Sequence, residues 1–286
     1  MPTPTRSICY SPASQLRTPW RLASEMWRDL KSSRELAWRL TVRDLSAKYR
    51  QSVLGLLWAF VPPIATTAIF VLFNRAGAIN VGETAVPYPA FVLIGTVLWQ
   101  LFVDSLNAPI QMVGKSKSIL AKINFPREAL ILSAMGQAAF DFGIRALVLI
   151  PAFLYYRILP DWGIVALPAV LIAIMMLGCM IGMLLTPLSV LYGDVMFALP
   201  TITSLWFFLT PVVYNPPSNW PYSLLGSVNP VSPLLVAARD LFTLGTIQNI
   251  AWWPFSLVVF GVLLGLLAMW VLYRVSLPII IERIGA

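Results

Sequence analysis

The sequence predicts an all-α polytopic membrane protein: six transmembrane helices, an N-terminal interfacial helix, an outer re-entrant helix pair, and both termini inside (N-in/C-in). Three observations carry this. Six apolar stretches, approximately residues 53–73, 88–108, 129–156, 164–190, 196–214 and 251–273, are each long enough to cross a bilayer as a helix, which takes about 20 residues for a hydrocarbon core of roughly 30 Å. Sixteen of the 20 Lys and Arg fall on one side of these stretches: ten before the first, four between the second and third, two after the last. Only Arg75, Arg157 and Arg239 fall opposite, and Arg145 lies within a span. By the positive-inside rule the cation-rich side, with both termini, is cytoplasmic. Finally, the chain is 58% hydrophobic and 11% charged, with mean hydropathy +0.78. Its longest polar stretch is under about 55 residues, too short for a soluble domain of ordinary size.

Residues 1–17 carry three Pro and no apolar periodicity, and read as a disordered cytoplasmic tail; residues 18–286 form one transmembrane domain. The first 50 residues are too polar for a secretory signal. Thr18 and Pro19 supply an N-cap and a Pro at the first helical position, opening a short helix. Ser32 and Glu35 have the spacing of a capping box for a second helix, so 18–50 reads as interfacial helices. Along the second, Trp38, Val42, Leu45 and Tyr49 line one face, and Arg39, Arg43 and Arg50 another. An apolar stripe with aromatics beside an Arg-rich face suits a helix lying in the membrane interface; docking on a protein partner is the other reading.

The inner loop 109–128 holds Lys115, Lys117, Lys122 and Arg127 against Glu128, with Pro126 near its end. Gly114-Lys115-Ser116 invites comparison with a phosphate-binding loop, but that motif needs a Gly where this chain has Pro109. No ATPase machinery is therefore expected in the chain, nor any cofactor. The outer segment 215–245 is too apolar for a solvated loop, yet five Pro forbid one continuous helix. Two short helices dipping into the bilayer and broken near Asn229-Pro230 satisfy both constraints; a surface-lying amphipathic loop is the other reading. Such a break is tolerated only when buried in protein or lining an aqueous path. It would put Trp220 and Tyr222 near an exit, with Asn229 and Arg239 facing water or substrate.

The absence of His removes imidazole bases, His-metal sites and Ser-His-Asp triads together. Cys9 is expected inside and Cys179 within the fourth span, so no disulfide is expected. The net charge of +8 is explained by topology and anionic lipid, with no nucleic-acid partner implied. Asp141 and Arg145, four apart on the third span, are expected to pair with each other and set the rotation of that helix. Asp194 falls at the membrane–cytosol boundary. Aromatics concentrate at Trp58 and Phe60, at Trp99 and Phe102, and from Trp206 to Tyr214, including Phe208. Interfacial belts and core packing explain most of them, although a sugar polymer also slides well over aromatic faces.

Four stretches, in order, resemble the membrane subunit of a type-2 ABC exporter of polysaccharides, the class that moves O-antigen, capsule and teichoic acid. They are Arg43-Asp44-Leu45 through Lys48-Tyr49-Arg50, Gly55, Trp58 and Pro62; Asn124-Phe125-Pro126-Arg127-Glu128; Gly193-Asp194-Val195 through Leu199-Pro200 and Phe208-Leu209-Thr210-Pro211 to Tyr214; and Asn229-Pro230 with Arg239. The resemblance implies a homodimeric channel in the bacterial plasma (inner) membrane, above two copies of a separate ABC ATPase that uses ATP and Mg. It further implies that the 112–128 loop and Asp194 couple to that ATPase, that the helix bearing Trp38, Arg39, Arg43, Tyr49 and Arg50 guards the entrance, and that 215–245 gates the exit. The expected cargo is a lipid-linked polysaccharide. Rival readings are a type-2 exporter of drugs or small lipids, a membrane glycosyl- or acyltransferase, and a stand-alone channel. A transferase would want a catalytic base or carboxylate cluster, and the acids here are scattered.

Overall fold

A computed structural model describes residues 19–50, 55–79, 81–120, 128–159, 161–216, 226, 228–247 and 252–285; the side chains of 19–23, 49, 117–120 and 277–285 lie outside it. The described residues are helical, without strands. In chain order the helices are α1 (Pro19–Ser32), α2 (Arg34–Arg50), α3 (Val61–Arg75), α4 (Tyr88–Leu120), α5 (Glu128–Ala146), α6 (Leu149–Tyr156), α7 (Leu167–Leu191), α8 (Asp194–Leu209), α9 (Val231–Thr243) and α10 (Trp252–Gly285). Single 3₁₀ turns, Gly55–Ala59 and Trp162–Ala166, lead into α3 and α7.

Five stretches are helical, long and apolar enough to cross a membrane: Gly55–Arg75, Tyr88–Ser116, Glu128–Tyr156, Trp162–Leu191 and Trp252–Ser276. The fifth expected span, 196–214, is shorter. Helix α8 stops at Leu209, and Thr210 is extended at ψ 137°. The cause is Pro211, which disfavours α geometry in the residue before it. The first span is likewise broken, because Pro62 and Pro63 belong in a first helical turn; α3 begins at Val61. The third divides at Leu147-Val148 into α5 and α6. Pro151 there cannot donate to the Leu147 carbonyl, and Ile150 N–H takes that acceptor instead.

Helix α4 is the axis of the bundle, with α3, α5, α7 and α9 packed around it. Its 33 residues span about 50 Å, well beyond a hydrocarbon core. The expected loop 109–128 is therefore helical as far as Leu120, running through Pro109. Gly178 and Gly182 of α7 press on α4: a Cβ on Gly182 would lie 2.3 Å from the Leu106 carbonyl oxygen. This small-residue seam is internal to the chain, as close helix approach requires.

Helix α9 is buried from Val231 to Phe242. At its start, Asn229 meets Trp206, whose ring packs edge-on against Phe102, nearly halfway along α4. At its far end, Gly245 touches Gly163 so closely that a Cβ on Gly163 would collide with the Gly245 carbonyl. Thus α9 descends from the end of the bundle that carries the 157–166 loop towards mid-depth. The opposite end carries Glu128, Arg274 and α1.

Candidate functional site

A cavity of about 400 Å³ opens between α3, α4 and α8. Each helix contributes both aromatic and small polar side chains: Phe70 and Thr66 from α3, Trp99, Gln100 and Thr96 from α4, Phe207, Phe208, Thr203 and Ser204 from α8. The rings form one connected cluster. Trp99 lies 5.8 Å from Phe207 and 6.4 Å from Trp206, Phe70 lies 5.9 Å from Phe207, and Phe207 lies 5.4 Å from Phe208. Phe208 is 62% exposed, and Trp58 before α3 is also exposed. Of α3 only Pro63 is buried, and of α8 only Leu199 and Thr203. The cavity thus lies on a face of the bundle left largely uncovered. Chemically it offers rings for the C–H faces of a sliding ligand and hydroxyl and amide groups for its polar edges.

A chain of polar contacts leads from this cavity to α2. Gln100 donates to Asp104 at 3.2 Å, and Asp104 pairs with Arg145 of α5. One turn earlier on α5, Asp141 accepts from Lys48 Nζ at 2.6 Å. Gln137 reaches Asp44 at 3.3 Å, and Thr41 Oγ1 meets Ser133 Oγ at 3.1 Å. The expected pairing of Asp141 with Arg145 is corrected: each acquires a partner on a different helix. Charges four apart on one helix gain little, whereas partners converging from two other helices neutralise them inside the bundle. Asp104 lies mid-helix, because α4 continues to Leu120.

These contacts also fix the course of α2. The pairs 41/133, 44/137 and 48/141 rise together, so α2 runs alongside α5 in the same direction. Its packing face is Ser33, Ala37 and Thr41, all buried. The expected stripe points elsewhere: Trp38 is 69% exposed and Val42 is exposed. Small side chains win the contact because they let two backbones approach, and Thr41 sits against Gly136. Arg39 and Arg43 are exposed, and they pair locally with Glu35 and Asp44; Arg50 is exposed. The side chain of Tyr49 lies outside the described residues.

At the end of the bundle that carries α1, Glu128 is corrected from a docking residue to an internal anchor. It is 3% exposed and accepts from Arg274 Nη1 at 2.8 Å, while Arg274 Nη2 holds Asp29 at 2.6 Å. A buried carboxylate needs such a partner. Lys115 and Asp194 are exposed. Lys122, Asn124, Phe125, Pro126 and Arg127 lie outside the described residues, as does the side chain of Lys117.

Asn229 and Arg239, expected to face water or substrate, are both buried. Asn229 accepts from Trp206 Nε1 at 3.0 Å and from Val231 N–H at 3.1 Å, and donates to Thr210 Oγ1 at 2.8 Å. Arg239 is 3% exposed; its Nη1 donates to the Pro211 carbonyl at 3.0 Å and points towards that of Val212. Its guanidinium lies 3.8 Å over the Phe91 ring. The Pro211 break leaves carbonyls without helical donors, and Arg239 supplies one. Tyr214 donates to the Phe208 carbonyl at 3.1 Å. Trp220 and Tyr222 lie outside the described residues.

With this geometry in view, comparison with known proteins is informative. Residues 35–243 match the membrane family described as ABC-2 type transporter. The chain is 25% identical over 218 residues to the O-antigen export system permease protein RfbA of Myxococcus xanthus, covering 75% of this chain and 83% of that one. The protein of the same name from Klebsiella pneumoniae is 24% identical over 217 residues, covering 73% and 80%. The capsule polysaccharide export inner-membrane protein CtrC of Neisseria meningitidis serogroup B is 22% identical over 220 residues, covering 71% and 78%.

Proposed function

Since the chain belongs to the ABC-2 type transporter membrane family, we propose that it is the permease of an ATP-driven exporter of lipid-linked polysaccharide in the bacterial inner membrane. The observation that carries this reading is the cavity between α3, α4 and α8, where Phe70, Trp99, Phe207 and Phe208 alternate with Thr96, Gln100, Thr203 and Ser204. Such a surface lets a sugar chain advance without a deep binding well. The names of the relatives, O-antigen and capsule exporters, support the same cargo.

On this reading the permease crosses the membrane six times. Helix α8 and the extended 210–214 stretch together make the fifth crossing, and both termini are cytoplasmic. The descending α9 belongs to a re-entrant pair at the outer face. Two copies form the channel, bringing together the uncovered faces of α3 and α8. Two copies of a separate ATPase sit beneath, where ATP and Mg are used, and the inner end of α4 with residues 121–128 and Asp194 transmits their closure. Helix α2 borders the entrance, and its ion pair to α5 couples its position to Asp104 and Gln100 beside the channel.

The test is reconstitution of the chain with its cognate ATPase in liposomes loaded with lipid-linked polymer. Polymer should become accessible to lectin on the far side only with ATP, and Trp99→Ala with Phe207→Ala should slow this at least tenfold. Equal transport of small amphiphiles with no polymer movement would defeat the cargo assignment.

A further inference from the structure

A second cavity, about 310 Å³, lies at the outer end and is separate from the aromatic one. Its walls are the 83–86 loop, Asn215 and Pro216, and the α9 face carrying Val236, Arg239, Asp240 and Thr243, with Phe91 beneath. Arg239 is buried, yet only its Nη1 is engaged, by the Pro211 and Val212 carbonyls. No described residue accepts from Nε or Nη2, and Arg239 lines the cavity. Asn215 uses its amide N–H on the Glu83 carbonyl at 2.6 Å, which keeps Oδ1 as an acceptor. Glu83 and Asp240 add two carboxylates.

We propose that this cavity is a subsite for one neutral sugar unit of a polysaccharide at the exit. A guanidinium only donates and carboxylates only accept, whereas each sugar hydroxyl does both. Two carboxylates against one guanidinium disfavour an anion, while Asn215 Oδ1 and Glu83 are acceptors for hydroxyl donors. The volume is at the small end of the roughly 300–1,000 Å³ of small-molecule sites, which suits a single ring. Arg239 would then do two things at once. It holds the 211–212 turn with Nη1 and presents Nε and Nη2 to the sugar, so occupancy is felt by the backbone that ends α8.

This inference rests on the export reading, and its test is separate from it. The full chain in lipid nanodiscs is mixed with maltotriose, mannotriose or galactotriose, and saturation-transfer NMR reads binding. At least one trisaccharide should bind the wild-type chain. Glu83→Leu, an exposed change, and Thr243→Phe, which fills the cavity, should each weaken that signal at least fivefold without lowering the melting temperature. Inorganic phosphate should not compete. No binding to the wild-type chain, unchanged binding in both variants, or displacement by phosphate would each overturn the subsite. Polymer export in liposomes without trisaccharide binding would defeat the subsite alone; binding without export would defeat the export reading alone.

Discussion

Arg274 shows how a single residue organises the end of the bundle that carries α1. Its guanidinium joins the start of α5, through Glu128, to α1, through Asp29. Arg274→Ala leaves two carboxylates facing each other, one of them buried, and should cost about 3–5 kcal/mol. Adding Glu128→Gln and Asp29→Asn should recover most of the loss, because the unpaired charges go with the guanidinium. Thermal melting of the purified protein by fluorescence-detected size exclusion reads both; an unchanged melting temperature for Arg274→Ala would contradict the triad. Asn229 plays an equivalent part at mid-depth, where α9 begins. Asn229→Ala orphans Trp206 Nε1 and the Val231 N–H, at a cost of about 1–3 kcal/mol. The same melting experiment should register it, with a larger effect than for the exposed Asn215.

Among the elements, α2 is the one whose placement has most consequence. Apolar periodicity points to Trp38, Val42 and Leu45 as its working face, yet the helix docks through Ala37 and Thr41. A water-soluble maleimide should therefore label Cys at 39 and 43 quickly and Cys at 37 and 41 hardly at all. Comparable labelling at 41 and 43 would mean that α2 is not seated on α5. Gly136→Leu should unseat it, since even a Cβ there lies 3.1 Å from Thr41 Oγ1, and overpacking costs about 1–3 kcal/mol. The ion pair of Lys48 with Asp141 then supplies a functional readout. Lys48→Asp should reduce polymer export several-fold in the liposome assay, and Lys48→Asp with Asp141→Lys should restore much of it. Failure of the swap to rescue would confine the pair to folding.

For the molecule as a whole, the question is which surfaces face lipid and which face a second copy. Exposed apolar side chains cover α3, α8 and α10 alike, and in a membrane such exposure does not by itself mark an interface. Only α3 and α8 flank the aromatic cavity with its polar groups. In a background with Cys9 and Cys179 replaced by Ser, Phe208→Cys should form a disulfide-linked dimer under mild oxidation. Leu264→Cys on α10, equally exposed, should not. Cross-linking through α10 but not α8 would place the channel on the opposite face.

Hydropathy and charge made the helical membrane architecture legible before any coordinates, because a span of about 20 apolar residues has no other stable home. Pro230 likewise announced a break before α9, and the four ordered motifs pointed to the exporter family. Several assignments needed the tertiary structure. Asp141 and Arg145 look like a pair along one helix, and only the packing of α2 and α4 against α5 reveals their partners Lys48 and Asp104. Glu128, Asn229 and Arg239 read as exposed polar groups, since a sequence does not say that a distant Arg274, Trp206 or Pro211 will bury them. The aromatic cavity draws on positions 70, 99 and 207, in three helices far apart in the chain. Spans follow from a local balance between apolar side chains and lipid, which composition records. Burial of a polar group depends on which remote group arrives to satisfy it, and that is decided only when the helices pack.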